Sequence, residues 1–327
     1  MKIGMTYDLF QEYLDQGYSE EDAAEFDAEV TIRGLEEAIQ ACGYETERIG
    51  NGMSLCKRLV AGDRWDMVFN IAEGVYGRSR EAQVPSLLEL YQIPYTLSDP
   101  LVCAVTLDKA ITKKIVRASG YNTPNYFVLH DLSEISQVNL RYPLFAKPLA
   151  EGTGKGIAAN SRITSPDELI QVCQNLLVMY QQPVLVEEYL PGREYTVGVI
   201  GNGSEARVLG TMEVILREPE KGTIYSYEAK ENWQHLVAYS TPRPGLALDI
   251  VEALALGSYL ALECRDAARI DIRLDAADDP SFMELNPLPG LNPIHSDLPM
   301  IAYRAGLTYN DLIRAILNSA IRRLGLE

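Results

Sequence analysis

Two short segments, 269–271 and 284–286, carry the side chains best suited to chemistry. Each reads as a strand, in which alternate residues share one face of the sheet. The side chains on that face are Arg269, Asp271, Glu284 and Asn286. The stretch 275–280 between them predicts a hairpin loop that lays the strands side by side. Two carboxylates and an amide are ligands that suit Mg²⁺, so the pattern predicts a magnesium site, with a salt-bridged face as the ordinary alternative.

A second group of residues could meet phosphate. The segment Glu151–Gly156, called here the glycine loop, has three alternating glycines, which exclude a stable helix or a central strand. Its backbone N–H groups and Lys155 could cover an anion, although a flexible surface loop is the commoner explanation. The loop lacks the Gly-Lys-Ser/Thr ending of a Walker A motif. Lys147, on the strand before it, extends either to water or to an anion.

Acidic residues end the apolar segment 184–190 at Glu187 and Glu188, and Glu194 follows. Carboxylates there can accept hydrogen bonds from adenine or ribose, whereas charges that protect a sheet edge are the ordinary alternative. The three histidines are far apart in the sequence, and only His295, beside Ser296, is near another candidate residue. A Gly-x-Ser-x-Gly turn is absent from the sequence, so a serine hydrolase is not indicated.

The elements that must position these residues begin with an open α/β unit. We expect a strand at 2–5, then a helix starting near Ser19, with Asp22 as its capping partner, and ending at Gly43. A buried strand at 67–71 and a helix over 84–90 follow.

From about Lys109 the pattern changes. A helix runs through Ile115, and strands follow at 126–129, around Lys147, near Ile157 and at 184–189, with a helix over 169–177. The remaining chain predicts antiparallel strands and two helices; these are strands 194–200, 207–215, 268–274 and 281–285 and helices 247–262 and 309–323.

Composition excludes several classes of protein. A formal net charge of −17 repels nucleic-acid and anionic membrane surfaces, so neither partner is expected. Five scattered cysteines without a Cys-x-x-Cys pair indicate neither a disulfide framework nor a zinc site. Since the sequence also lacks a signal peptide and an apolar run of about 18 residues, we expect a cytoplasmic location.

Taken in chain order, these motifs resemble those of D-alanine–D-alanine ligases of the ATP-grasp superfamily, from about residue 67 onwards. The matching segments are 93–96, 107–109, 146–148, 151–153, 186–190, 194–197, 227–230, 269–271, 284–286 and 289–296. The resemblance implies a mixed α/β (α+β) three-domain ATP-grasp architecture. Residues 1–107 would form an N-terminal open α/β substrate domain, 108–190 a central domain with the glycine loop, and 191–327 a C-terminal domain with the magnesium and catalytic residues.

The resemblance also implies the cofactors, which are ATP and two Mg²⁺ ions, with Mn²⁺ as an alternative metal. The ATP-binding residues would be Lys109, Lys147, Thr153, Lys155, Glu187, Glu188, Leu190 and Glu194. Of these, the lysines at 109 and 147 would contact phosphate, Glu187, Glu188 and Leu190 the adenine, and Glu194 the ribose. The metal ligands would be Asp271, Glu284 and Asn286, and the catalytic residues Arg269, Lys230, Gly290 and Ser296.

The implied reaction has two steps. A substrate carboxylate takes the γ-phosphoryl group of ATP to give an acyl phosphate and ADP, and an amine then displaces phosphate. Lys147 and Lys230 would neutralise the phosphoryl group, while Arg269 and the Gly290 N–H would face the tetrahedral oxyanion. The glycine loop and the segment 224–235 would close over the site and exclude water.

The departures from the family concern the substrates. The family's Gly-Gly-x-Ser-x-Glu stretch is replaced by 4–8 and a longer segment, which leaves Asp27 or Glu29 as guesses for the acid that grips the first amino group. Its His-Gly loop is replaced by 70–74, which contains Glu73, and its serine after Glu-Gly by Thr153. The substrate residues named on this basis are Asp27, Glu73, Glu231, His295 and Asp297.

Glu231 and Asp297 are new carboxylates at the expected acceptor end, and they favour a polar or cationic amine over alanine. Amino-acid-like small molecules are therefore the expected substrates. A ligase of specialised metabolism, such as the enzymes that attach amino acids to mycosporines, is the alternative, followed by a non-catalytic ATP-binding protein. The resemblance further suggests a homodimer through the N-terminal domain.

Overall fold

Three sheets organise the molecule, for which the computed structural model describes residues 1–216 and 237–326. The first sheet is parallel, with β1 between β2 and β3. Its elements are β1 (Lys2–Thr6), α1 (Phe10–Asp15), α2 (Glu29–Ala41), β2 (Glu45–Gly50), α3 (Gly52–Ala61), β3 (Met67–Asn70), α4 (Gln83–Leu90) and α5 (Pro100–Leu107). Parallel strands need both faces covered, and β3 is accordingly buried along its whole length.

The predicted helix start at Ser19 is wrong. The Ser19 hydroxyl accepts from the Asp22 N–H within a turn, and α2 begins ten residues later. The reason is backbone pairing between this segment and the end of β1. The Asp27 N–H donates to the Asp8 carbonyl and the Phe10 N–H to the Asp27 carbonyl, which holds the chain extended just before α2.

The second sheet is antiparallel, in the order β4-β7-β5-β6, and α7 packs on it. Its elements are α6 (Lys109–Ala118), β4 (Tyr126–Leu129), β5 (Leu144–Pro148), β6 (Arg162–Ile163), α7 (Pro166–Tyr180) and β7 (Val184–Glu188). The expected strand near Ile157 is wrong, because the glycine loop continues through Ile157 and the next strand is β6. Gly154 and Gly156 have φ angles of 78° and 73°, which no regular strand adopts.

The third sheet is antiparallel, in the order β10-β9-β8-β11-β12. Its elements are β8 (Glu194–Ile200), β9 (Arg207–Leu216), β10 (Val237–Ser240), α8 (Leu246–Ala261), β11 (Ala267–Leu274) and β12 (Pro280–Asn286), followed by α9 (Asp297–Arg304) and α10 (Tyr309–Leu324). The predicted hairpin is confirmed, with β11 paired to β12 across the 275–279 loop.

Residues distant in sequence join the first and third sheets. Leu35 and Ile39 of α2 share one core with Ile313 and Leu317 of α10. A buried polar hub lies beside that core, where the fully buried Asp266 accepts from the Leu97 N–H and pairs with Arg323 at 2.7 Å. The hub fixes the third sheet relative to the first.

Among the described residues, no helix is long and apolar enough to cross a membrane.

Candidate active site

The hairpin of β11 and β12 brings the predicted metal residues together. Arg269 lies opposite Asn286 and Asp271 opposite Glu284, so the four side chains meet across two strands. Along β11 the residues at 268, 270 and 272 are buried, whereas those at 269, 271 and 273 are partly exposed. This alternation is the direct result of strand geometry, and it aims the charged face into a cleft.

Two lysines from other elements point at this hairpin. Lys147 of β5 and Lys109, the first residue of α6, each lie 3.7 Å from Glu284. Burial lowers the pKa of Lys109. Burial acts the same way on Lys147, but Glu187 and Glu284 outweigh it, and the Lys147 pKa is raised. Both lysines are almost fully buried, so they form a fixed positive wall of the cleft.

Glu187 is held in a buried ion-pair network. Its carboxylate lies 2.7 Å from Lys113 and 3.6 Å from Lys147, and it is 1% exposed. Burial would raise the Glu187 pKa, yet the two ammonium groups outweigh burial and lower it. Sequence reasoning did not identify Lys113. Its position four residues after Lys109, on the same face of α6, is the pattern that could have revealed it.

The glycine loop is fastened to the segment between α1 and α2. The Gly152 N–H donates to Glu25 at 2.6 Å, and Lys155 donates to the Asp22 carbonyl at 3.1 Å. Arg80 pairs with Glu25 at 3.0 Å and donates to the Ala150 carbonyl at 2.9 Å. Burial would raise the Glu25 pKa, but Arg80 and Lys155 outweigh burial and lower it. The structure therefore places an ionised Glu25 at the loop, a residue that the sequence did not single out.

Among the acids guessed for the first substrate, Glu73 lies close enough to this contact for Glu25 and Arg80 to shift its pKa. Burial raises the pKa of Asp27 to about 7, with Asp8 adding to the effect. Burial raises the pKa of Glu73 well above its usual range, and Glu81 is the next cause. Neither Asp27 nor Glu73 lines the cleft beside the hairpin.

The opposite end of β11 carries the residues expected near the nucleoside. Arg273 donates to Glu194 and to the Tyr189 hydroxyl, each at 3.2 Å. Glu188 accepts from Asn125 and from the Arg141 N–H. These contacts hold both acidic side chains in place, and Glu194 also lines the cleft.

At the other end of the hairpin, Arg269 bridges two acids. Its guanidinium donates to Asp271 and to Asp297, each at 2.9 Å. Arg269 thus forms the salt bridges of the ordinary alternative, on the same hairpin that carries the predicted metal ligands. Ser296 accepts from the Asn292 N–H at 3.0 Å, and His295 is exposed.

The cleft itself collects residues from the second and third sheets, from the start of α6 and from the glycine loop. Those lining it are Lys109, Phe145, Lys147, Pro148, Glu151, Gly154, Lys155, Ile157, Glu194, Asp271, Arg273, Met283 and Glu284. Asn286, Thr153 and Leu190 are not among the lining residues. Lys230, Glu231 and the expected closing segment 224–235 lie outside the described residues.

The donor set fits a magnesium site shared with a phosphate ligand. Asp271 and Glu284 offer carboxylate oxygens at paired positions, and Asn286 adds an amide oxygen one step along β12. Such a set leaves coordination positions open for phosphate oxygens and water. In the part of the chain that is described, no group of three or more His, Cys, Asp or Glu side chains is placed to hold a metal ion by itself.

The chain is similar to known ligases over most of its length. The profile described as the D-ala D-ala ligase C-terminus matches residues 115–318. The D-alanine–D-alanine ligase of Bordetella pertussis is 33% identical over 293 residues, which cover 88% of this chain and 88% of the relative. The uncharacterised protein y4sG of Sinorhizobium fredii is 36% identical over 299 residues, with 88% and 86% covered.

Solved structures agree with this similarity. The D-alanine–D-alanine ligase from Bacillus anthracis complexed with ATP has a TM-score of 0.74 and 25% identity, covering 100% of this chain and 99% of that one. The VanG D-Ala:D-Ser ligase from Enterococcus faecalis also has a TM-score of 0.74, at 20% identity, covering 98% and 99%. The second likeness shows the shared fold.

Proposed function

This chain belongs to the D-alanine–D-alanine ligase family of ADP-forming ATP-grasp enzymes, and we propose that it joins an amino-acid-like carboxylate to an amine through an acyl phosphate. The observation that carries the proposal is the meeting of Lys109 and Lys147 with the Asp271–Glu284 pair in one cleft. Phosphoryl transfer needs little from the protein beyond positioning and charge neutralisation, and this arrangement offers both.

ATP would bind along the cleft. Lys109 and Lys147 would contact phosphate oxygens, and Glu194 would accept from the ribose. The adenine would lie against the segment 187–190, where Leu190 and the backbone are the available contacts because the Glu187 carboxylate is taken up by two lysines. Lys155 and Thr153 of the glycine loop would cover the phosphates.

Asp271, Glu284 and Asn286 would hold two Mg²⁺ or Mn²⁺ ions. When bound, these ions would supply positive charge that neutralises the negative charge developing during transfer. The hairpin supplies the ligands on rigid, paired strands, so their spacing does not depend on a loop.

The condensation step would take place at the Arg269 end. Arg269 and the Gly290 N–H would face the oxyanion of the tetrahedral intermediate, with Ser296 beside them. A Cβ added at Gly290 would lie 2.8 Å from the Ser296 hydroxyl, so glycine at this position leaves room for the Ser296 side chain. Lys230 would neutralise the transferring phosphoryl group.

The fastening of the glycine loop would exclude water. Glu25 and Arg80 hold the loop's backbone from the side of the first sheet, which keeps it over the cleft. An acyl phosphate is prone to hydrolysis, so a closed loop protects the intermediate until the amine attacks. Glu25, at this contact, is a further candidate beside Asp27, Glu29 and Glu73 for the acid that meets the first substrate.

We further propose the domain division 1–107, 108–190 and 191–327, since each sheet falls within one of these ranges. A homodimer through the N-terminal domain is supported by exposed leucines on that unit, and we expect the protein to be cytoplasmic. Leu90 of α4 is 75% exposed and Leu101 of α5 70% exposed. Neither nucleic acid nor membrane is an expected partner at a net charge of −17.

The test is a screen for ATP-dependent condensation. The protein is incubated with ATP, Mg²⁺ and pools of D- and L-amino acids, with and without small carboxylic acids and amines. Phosphate release and mass spectrometry of the products are recorded together. We expect release only with particular pairs, matched by their condensation product.

Glu284→Gln should lower that activity by about 100-fold or more, because a carboxylate ligand at the transferring phosphate is lost. The matched control is Glu37→Gln, which changes an exposed glutamate of α2 and should leave activity unchanged. ATP binding without release in any pool would instead favour the non-catalytic alternative.

A further inference from the structure

Arg269 is already occupied by two carboxylates of its own chain. One terminal nitrogen donates to Asp271 and the other to Asp297, both at 2.9 Å, and Glu284 lies 3.9 Å away. All four side chains are more than three-quarters buried. Three acids therefore surround one guanidinium at this end of the cleft.

The direction of the cleft follows from β11. The side chains of Arg269, Asp271 and Arg273 lie on one face of β11, and each is about 6.6 Å from the next along the strand. Arg273 contacts Glu194 and Tyr189 at the nucleoside end, and Asp271 faces Glu284 in the middle. An amine that attacks a carbonyl activated in the middle must therefore arrive from the Arg269 end.

Asp297 faces Arg269 from the start of α9. It is the first residue of α9, where the helix dipole favours a negative charge, and its partner is a guanidinium that stays protonated. An α-amino acid arriving as the acceptor would bring its own carboxylate within a few ångströms of its amine. That anion would face Asp297 while Arg269 is engaged by its own acids.

From this geometry we propose that the acceptor is an amine with no carboxylate beside the nitrogen, and that Asp297 is the residue that rejects α-amino acids. The proposal rests on the proposed ligase function. Asp297, paired with Arg269, puts a negative charge at the end of the cleft where the carboxylate of an α-amino acid acceptor would lie. A neutral or cationic group next to the amine meets no such repulsion.

The reaction keeps its ordinary balance with such an acceptor. The neutral amine nitrogen forms a bond to the acyl carbon, the bond from that carbon to the phosphate oxygen breaks, and phosphate leaves with the electron pair. One proton of the amine passes to solvent. No oxidant, reductant or further reactant is needed.

The test compares alaninamide with alanine, in both chiral forms, as acceptors for the carboxylate that the screen identifies. The two differ in one group, which is neutral in the amide and anionic in the acid. We expect wild type to have the higher kcat/KM with alaninamide. In Asp297→Asn the ratio of kcat/KM for alaninamide to kcat/KM for alanine should fall by about tenfold or more, because the like-charge contact is removed and Arg269 is released.

Asp297→Glu is the matched control, because it keeps the charge and should keep the wild-type preference. The two acceptors differ in amine basicity, so the change of ratio between variants is the deciding quantity. Thermal unfolding checks that each variant is folded. Equal ratios in wild type and Asp297→Asn, or a wild-type preference for alanine, would overturn the proposal.

Failure of the ligase function would look different. Hydroxylamine is a small nucleophile without a carboxylate, and it traps acyl phosphates as hydroxamates. Hydroxamate formation with ATP supports the proposed function regardless of how Asp297 behaves. If no hydroxamate and no ADP form with any carboxylate, both proposals are wrong together.

Discussion

The buried pair of Lys113 and Glu187 offers a quantitative test of how the cleft is held together. The two groups are 0% and 1% exposed and lie 2.7 Å apart, and Lys147 reaches the same carboxylate at 3.6 Å. At an effective dielectric constant of about 20, unit charges at these distances attract by about 6 and about 5 kcal/mol. Burial lowers the pKa of Lys113 to about 8, so the pair is ionic at pH 7.

Removing one partner should be far more damaging than removing both. Lys113→Met leaves a buried carboxylate with Lys147 as its nearest partner, and it should lower the free energy of unfolding by about 3–5 kcal/mol. Glu187→Leu should cost a similar amount. The double variant replaces both charges by apolar groups and should lie within about 2 kcal/mol of wild type, because no buried charge is then stranded at this position.

Urea unfolding at pH 7 is followed by circular dichroism and fluorescence. It gives the free energies of unfolding of wild type, the two single variants and the double variant. Lys114→Met is the control, since Lys114 is the neighbouring exposed lysine of α6 and should change stability by less than about 0.5 kcal/mol. The reasoning is refuted if Lys113→Met is as stable as wild type, or if the double variant is destabilised by the sum of the single variants.

Three further predictions concern other parts of the molecule. Burial raises the Glu81 pKa from 4.5 to about 7. Between these two pH values the folded chain keeps a proton that the unfolded chain loses, so the free energy of unfolding falls as pH rises from 4.5 to about 7. Glu81→Gln should remove that decline and add about 1–3 kcal/mol at pH 8 in urea titrations, against little change at pH 4. Asp266→Ala leaves the Arg323 guanidinium without its carboxylate and should cost about 3–5 kcal/mol, visible as a lower Tm. Glu25→Gln should loosen the glycine loop and lower kcat/KM by about tenfold, with faster ATP hydrolysis in the absence of an acceptor; unchanged kinetics would contradict the fastening role.

The sequence predicted the third sheet and its hairpin well because strand periodicity is local. Alternation at 269–273 and 284–286 gives the shared face directly, and the cross-strand pairing of Asp271 with Glu284 follows once a short loop is assumed. The same reasoning placed the ends of β11, β12, α8 and α10 within one or two positions, but it missed β10 and α9.

Contacts between distant segments could not be found this way. One such contact is the backbone pairing of Asp27 with Asp8, which makes α2 begin later than predicted. Another is the hydrogen bond from the glycine loop to Glu25. Both depend on how separate elements pack. Lys113 was missed because a lysine on an amphipathic helix ordinarily faces water, whereas here its face meets β7 and β12. Tertiary packing, which one sequence does not encode locally, decided each of these cases.

The core shared by α2 and α10 has a consequence for synthesis of the chain. The apolar residues Leu35 and Ile39 leave the ribosome long before Ile313 and Leu317, yet the four bury one another. The nascent first sheet therefore exposes an apolar helix face until α10 has been made. We expect cells to protect this intermediate with chaperones, and truncation before Tyr309 to yield aggregates rather than a smaller folded unit.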